Sequence, residues 1–390
     1  MGMVCACQRT QDEETETTVC FAQSCRGSFT ENGYLRVDAD SYIRYLDFKT
    51  GSEIALCNKE GCVHNSNTCN AYVGNIGGLS AFFYKDQLYI VSCEGTDSLN
   101  GMSLWRADKD GTARKEVVSG MPGYTLLNME LVEDTLYYVA PAAAEPEEGD
   151  HVEAVKQSEV LFRVNLSDYQ TKEIESHPDK EGSQISNLSN VGGQLYYQVI
   201  LPEQSPTQLY YEVLEDENAD DTTYLEKLRE LPTATQVVHY DPAADEKETL
   251  LEKQVFYENI EAFGGVSAQQ SLLISGEGRQ LFWYPQNQDV CTMNWRENAY
   301  VLDDNVLVVD GETGRFRIYD QEGTLLTDLE NVFLQDADAD ANAEYYGRVG
   351  DKLYFSIGND VGGVIGEVTI SSLLQQKPDW SVIYDRSASL

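Results

Sequence analysis

Short runs in which apolar and polar residues alternate recur along the chain, each opening behind a Gly, Asp, Asn or Gln position. They occupy residues 33–37, 86–91, 134–139, 193–199, 270–275, 304–309 and 351–357. Alternation with period two is the pattern of a β-strand, and none of these runs is long enough for a helix. A second strand follows several of them, at 42–47, 104–108, 161–165 and 316–320. Each of these leads into a polar turn such as Lys49-Thr50-Gly51, Asp110-Gly111 or Glu322-Gly323. Glycine there supplies the positive φ that tight hairpins need. A further short strand closes the unit at 53–56, 116–118, 324–326 and 381–384. Seven repeats of three to four antiparallel strands, about 50 residues apart, predict an all-β fold, a β-propeller of seven blades. Six or eight blades, or two β-sandwiches, are the alternatives, because the spacing is uneven. Residues 380–384 are expected to lie near the first blade and to close the ring.

The long interval between the fourth and fifth runs holds an acidic stretch, 215–221, and then Leu225, Leu228 and Leu231 at helical spacing before Pro232. This predicts one short helical insertion near 221–231, capped by Thr222 or Thr223. The domain reading is therefore a tether over 1–30 and a propeller over 31–390, carrying a Cys/His loop at 57–69 and that insertion.

Composition narrows the function classes. Lys and Arg number 27 against 66 Asp and Glu, a net charge of −39. Such a chain repels phosphate, which excludes a general nucleic-acid binder and an anionic membrane surface as partners. Hydrophobic residues make up 42%, with 24 Tyr, 12 Phe and 4 Trp, sufficient for a folded core. No run approaches the ~18 apolar residues of a membrane-spanning helix.

One segment carries chemistry. Cys57, Cys62, His64 and Cys69 stand in the spacing C-x4-C-x-H-x4-C. Three thiols and an imidazole are the number and type of ligands that a tetrahedral Zn²⁺ takes, and thiolates favour Zn²⁺ or Fe²⁺ over Mg²⁺ or Ca²⁺. In extended backbone Cys62 and His64 point the same way, and Gly61 lets the chain turn. A disulfide from Cys57 to Cys62 or Cys69, or three inert thiols, are the other readings. Four protein ligands leave no open position, so the expected metal is structural. Cys20 and Cys25 repeat the Cys57–Cys62 spacing, as a disulfide loop or as additional ligands; Cys93 and Cys291 read as buried thiols.

With its Leu-Cys, Cys-x-His and Cys-Asn-Ala-Tyr elements, the segment resembles one found in β-propeller lipoproteins of Gram-positive anaerobes, mostly gut Clostridia. Cys57, Cys62, His64, Cys69, Ala71 and Tyr72 fit that pattern position by position; Glu60 departs from it, where a Pro is common. The likeness is motif-level over 56–72 and one of style over about 30–385. It implies a propeller fold and a cell-surface address, and no activity.

The start of the chain agrees with that address. Val4-Cys5-Ala6-Cys7 resembles a bacterial lipobox, with Cys7 the residue that receives the lipid, and the acidic stretch 8–18 suits an extended tether. The apolar h-region of a signal peptide does not stand between Met1 and Val4. The expectation is an extracellular protein anchored to the outer face of the cytoplasmic membrane through this lipid alone, and monomeric.

Other signals are weaker. Asp336, Asp338 and Asp340 alternate with alanines and share a face that could hold Ca²⁺, without the Gly or the twelfth-position Glu of an EF-hand. His151, His177 and His239 sit among polar residues and read as solvent-facing. No nucleophile elbow, P-loop, dinucleotide fingerprint or H-E-x-x-H motif is present. Two functions remain: a non-enzymatic binding or scaffolding protein that recognises a protein, peptide or glycan through its loops, or a glycan- or peptide-acting hydrolase or lyase using channel carboxylates.

Overall fold

The recurrent apolar runs are buried on both faces, and this property builds the architecture. In the computed structural model, which describes residues 19–21, 27–93, 101–143, 157–215, 220–260, 262–267, 270–274, 279–284, 286–294, 296–333, 342–359 and 362–385, they form the second strands of seven antiparallel sheets. Within Gln87–Cys93, Leu88 and Ile90 enter one hydrophobic cluster while Tyr89 and Val91 enter another. Thr135–Ala143 does the same, with Leu136 and Tyr138 facing one way and Tyr137 and Val139 the other. Such a strand is stable only with a neighbouring sheet on each side. The chain is a seven-bladed β-propeller.

Each blade is a meander of consecutive strands. Blade 1 runs Gly27–Thr30, Gly33–Val37, Ile43–Asp47, Ser52–Ala55; blade 2 runs Gly78–Tyr84, Gln87–Cys93, Met102–Asp108, Lys115–Met121. Blade 3 is Asn128–Val132, Thr135–Ala143, Gln157–Asn165, Thr171–Glu175, and blade 4 is Gln184–Val191, Gln194–Pro202, Pro232–Asp241, Glu246–Phe256. Blade 5 is Ala262–Ser267, Gln270–Ile274, Gln280–Tyr284, Gln288–Thr292, and blade 6 is Glu297–Leu302, Asn305–Asp310, Arg315–Asp320, Leu325–Leu329. Blade 7 is Asn342–Val349, Lys352–Asn359, Gly362–Thr369, Ser381–Asp385. The first strands of successive blades are neighbours around the axis. Tight turns lead from them to the second strands: Lys85-Asp86 and Gly192-Gly193 both have positive φ at two successive positions, the type I′ geometry that matches strand twist.

Gly27–Thr30 pairs with Gly33–Val37 and is the innermost strand of blade 1, so the propeller begins before residue 31. Ahead of it, Cys20–Phe21 pairs with Ser28 and Phe29 and also touches the innermost strands of blades 3 and 7. Val19 and Phe21 are buried, with the Phe21 ring edge-on to Phe82 at 5.3 Å. This segment therefore crosses the axis of the ring.

Seven hydrophobic clusters occupy the seven seams. The ring closes through the seam between blades 7 and 1, where Phe29 stacks on Tyr34 at 4.3 Å and on Tyr354 at 5.4 Å, among Leu46, Tyr346 and Ile365. The expected approach of residues 380–384 to blade 1 is present: Tyr384 Oη donates to Glu53 Oε2 at 3.3 Å. The two do not share a sheet. Ser381–Asp385 pairs only within blade 7, and closure comes from packed side chains.

The insertion holds two helices where one was expected. Helix α1, Pro206–Leu214, starts at Ser205 with Pro206 in its first turn and buries Leu209 and Val213. Helix α2, Asp221–Arg229, is capped by Asp220 rather than by Thr222 or Thr223, with Thr223 closing the capping box. Of the leucine stripe, Leu231 is buried and Leu225 exposed; α2 meets α1 through Tyr224 and Tyr210, edge to face at 5.2 Å. No helix among the described residues is long and apolar enough to cross a membrane.

Two expectations follow. Phe29→Ala should destabilise the whole ring by about 3–5 kcal/mol, whereas Val382→Ala, at a 40% exposed position in the last strand, should cost under about 1 kcal/mol; denaturant melts of both variants measure this. Glu175 joins blade 3 to blade 4. It lies 2.9 Å from His177 Nε2 and accepts hydrogen bonds from Lys247 at 2.8 Å and Tyr197 at 3.0 Å. Burial acts to raise its pKa, but the His177, Lys247 and Tyr197 contacts outweigh it and lower the carboxyl to about 2. A carboxyl depressed in the folded state contributes stability above its unfolded pKa near 4.5 and loses it as pH falls towards 2. Glu175→Gln should remove on the order of 2–3 kcal/mol of that acid-dependent stability, read from melts between about pH 5 and 2.

Candidate metal centre

The Cys/His loop leaves blade 1 and returns to it, and both arms are held by one buried residue. The Ile43 carbonyl accepts from Leu56 N at 3.0 Å, and Ile43 N donates to the Ala71 carbonyl at 2.8 Å. Cys57 follows Leu56 and Cys69 precedes Ala71 by two, so the pairing brings the first and last ligand positions together. Val73 N bonds to the Ser41 carbonyl and Tyr72 bridges Tyr42, continuing the return along the blade.

Between the arms the chain turns twice. Cys62 N closes a turn on the Lys59 carbonyl at 3.2 Å, with Gly61 at φ +70°, and Cys69 N closes one on Ser66 at 3.0 Å. His64 lies between them at φ +52°, a conformation uncommon for a residue with a Cβ. It aims the imidazole inward: Nδ1 is 3.3 Å from Cys69 Sγ. The one aliphatic side chain of the loop, Val63, points outward and is 76% exposed.

Cys57, Cys62, His64 and Cys69 present ligand atoms that all lie within 4.8 Å of one another. The three thiols are free, so no disulfide joins them. Ligands about 2.0–2.3 Å from a tetrahedral metal stand roughly 3.3–3.8 Å apart, so a small contraction completes the geometry. The cluster is positioned to hold a metal ion. Cys69 is buried and the other three are half-buried above the core of the blade 1–blade 2 seam.

The charge states fit a cation. Burial, with the Cys57 and Cys62 thiols alongside, pushes Cys69 up to about 11. Burial also acts to raise Cys57, but the Lys59 and Asn70 backbone amides and the neighbouring thiols outweigh it and bring that thiol down. One thiolate is stabilised and a second is opposed, which is the state a divalent ion would resolve by neutralising both.

Blade 2 grips the loop from the other side. Asn70 Nδ2 donates to Asn58 Oδ1 at 3.0 Å, and Asn58 Nδ2 donates to Asp110 in the outer hairpin of blade 2. The half-buried Arg114 guanidinium donates to the carbonyls of Tyr72, at 2.6 Å, and Asn70. Gly111 faces the Asn70 and Leu56 carbonyls, where a Cβ would stand 2.9 and 3.1 Å away, and its φ is +77°. The hairpin at Asp108–Thr112 thus has a definite task, holding the Cys/His loop across the seam.

The remaining candidates fall elsewhere. Cys93 and Cys291 are half-buried in strands of blades 2 and 5 rather than fully buried. His177 is half-buried on Glu175, and His239 is stacked on Tyr196 at 4.9 Å with Nε2 2.9 Å from Gln194 Oε1, so neither is simply solvent-facing. Cys7, Cys25, His151, Asp336, Asp338 and Asp340 lie outside the described residues, as does the side chain of Cys20.

Two carboxyls not anticipated from the sequence stand out. Glu130, on the innermost strand of blade 3, is pushed up to about 8 by burial, and Glu159 to about 6 by burial. Neither shift owes anything to another carboxylate. Among the described residues no raised acid is coupled to a second acid, which is the arrangement that paired-carboxyl hydrolysis uses. Their glutamates sit in ordinary strand positions, and no local pattern marks them.

No protein-family model matches the chain, and no curated protein does. Solved structures do. A prolyl endopeptidase aligns with a TM-score of 0.54 at 11% identity, over 94% of this chain and 50% of that one. Prolyl oligopeptidase B from Galerina marginata aligns at 0.52 and 8%, over 94% and 51%. Oligopeptidase B from Trypanosoma brucei aligns at 0.50 and 9%, over 95% and 49%. The chain spans about half the length of each of these proteins, the likeness is to their propeller domains, and at these identities what is shared is the propeller fold.

Proposed function

We propose that the chain is a cell-surface lipoprotein whose propeller serves a non-enzymatic binding or scaffolding role, and that Cys57, Cys62, His64 and Cys69 hold one structural Zn²⁺. The observation that carries the metal reading is the convergence of four ligand atoms from a polar loop whose arms are both fixed on Ile43. The loop has no apolar residue turned inward between its cysteines, so a metal supplies what packing does not. Four protein ligands fill a tetrahedral shell and leave no site for substrate. The binding role is favoured over hydrolysis by the segment at Val19–Phe21 across the axis and by the isolated character of Glu130 and Glu159. The surface address rests on the lipobox-like start and the propeller-lipoprotein resemblance.

Elemental analysis of protein purified without chelator should find one zinc per chain, and Cys62→Ser should lose it. Chelation should lower Tm by about 2–4 °C, the scale of a 2–3 kcal/mol loss in a chain of this size. Metal-free protein that melts like the loaded form would remove the structural role. Arg114→Met strands the Asn70 and Tyr72 carbonyls and should cost about 1–3 kcal/mol, seen as faster amide exchange across residues 57–72 before the rest of the ring.

The address is checked by the mass of the Cys7-containing peptide from native cells, which should carry a diacylglyceryl group. A peptide and glycan panel incubated with the protein should show retention without cleavage; turnover of any member would favour the hydrolase instead.

A further inference from the structure

A cavity of about 340 Å³ lies where helix α1 meets the connection from blade 3 to blade 4. This is within the range of small-ligand sites. Its wall includes Glu159, Glu181, Ser183 and Tyr257, with Pro141 and Pro206 as apolar sides. The position of α1 is tightly set: a Cβ on Gly182, which has φ +79°, would stand 2.8 Å from Pro206 Cδ. The wall is therefore built from separate parts of the chain held in fixed register, with Tyr257 tied by its amide to the Leu231 carbonyl at 2.9 Å.

The polar groups are unbalanced. Two glutamates line the cavity, and among the described residues its lining contains no Lys, Arg or His. Glu159 is half-buried and takes one bond, from Ile185 N at 2.6 Å. Ser183 is 1% exposed and its hydroxyl has no partner among the described residues. A buried hydroxyl without a partner is costly and calls for a ligand or an ordered water. The helix terminus does not redirect this towards an anion, because Pro206 has no N–H and Ser205 Oγ already takes that of Gln208. A bare divalent ion would leave most of the volume empty.

We propose that this cavity binds a primary ammonium group, with Glu159 and Glu181 as its charge partners, Ser183 as an acceptor, and the Tyr257 ring against the adjoining carbons. An ammonium has three donors and one positive charge, which matches two carboxylates and a free hydroxyl lone pair. A cation beside the tyrosine face gains further attraction. The same chemistry is presented by a peptide N-terminus and by a lysine side chain. The site gives a ligand class to the binding role proposed above, and its failure would leave that role to other loops of the ring and the metal centre untouched.

Calorimetric titration of the full chain with triglycine amide, N-acetyl-triglycine amide, N-acetyl-lysine amide and maltotriose tests the idea. At least one free-amine probe should bind with Kd below about 10 mM, and N-acetyl-triglycine amide and maltotriose should not. Which amine binds distinguishes a peptide terminus from a lysine. Glu159→Gln should weaken that binding at least about tenfold and Ser183→Ala about threefold, with Tm held within a few degrees. Should Glu159→Gln not fold, the Ser183→Ala comparison decides. Equal binding of the acetylated peptide or of maltotriose, no binding by either amine, or variants that bind like the parent would each overturn the proposal.

Discussion

The double-sided burial of the second strand in each blade is the constraint on which the rest depends. A strand such as Gln87–Cys93 gives Leu88 and Ile90 to one seam and Tyr89 and Val91 to the next, so a single blade leaves at least one apolar face in water. Adding a neighbour only moves that exposed face along, and the cost disappears when the last blade meets the first. Tyrosine is well suited to this work. Tyr137, Tyr197 and Tyr354 bury nearly all of their rings, and Tyr197 turns its hydroxyl to the edge of a seam, where it donates to Glu175.

Closure without a shared strand puts the burden of the final seam on side chains. Phe29, Tyr34 and Tyr354 form a continuous stack there, and the last strand adds Ile383 and Tyr384 along its rim. Phe29 belongs to the innermost strand and itself pairs with Cys20. The segment across the axis and the closing seam are thereby coupled through one strand, Gly27–Thr30. Anything that displaced Phe21 from Phe82 would also unpair the inner edge of blade 1, which ties the state of the channel to the stability of the ring.

The second strands were legible because burial on both faces concentrates Leu, Tyr, Val and Ile into one run, and the hairpin turns because Gly and Asp accept positive φ. The innermost strands were not. Gly27–Thr30 and Ala262–Ser267 are short and rich in small residues, since they crowd around an axis, and small residues carry no periodic signal. Helix α1 was hidden for a related reason: its buried side chains are only Leu209 and Val213, and its strongest marker is the Ser205-Pro206 start rather than an apolar stripe. The four metal-ligand positions could be read because thiols and imidazole are rare and stood close together. Glu159 and Ser183 could not, because their environment is assembled from the blade 3–blade 4 connection and a helix more than twenty residues away, and nothing in either residue's own neighbourhood predicts it.

The Cys/His loop shows what a propeller does with a connection too polar to bury. Of residues 58–68 only Cys62 packs against the seam beneath them, yet their ends are anchored in it through Leu56, Cys69 and Ala71. Backbone pairing at Ile43 sets the distance between the arms, and Arg114 and Asp110 fix the loop to the next blade, but both contacts act at its base. Above that base the turns at 59–62 and 66–69 each close on one backbone bond, and Lys59 Nζ donates to the Thr68 carbonyl between them. A cation shared by Cys57, Cys62, His64 and Cys69 would join the two arms to both turns at once. Because the same arms carry the hydrogen bonds to Arg114, ordering the tip would also order the grip on blade 2, and in the seam between the first two blades metal coordination and apolar packing would reinforce each other.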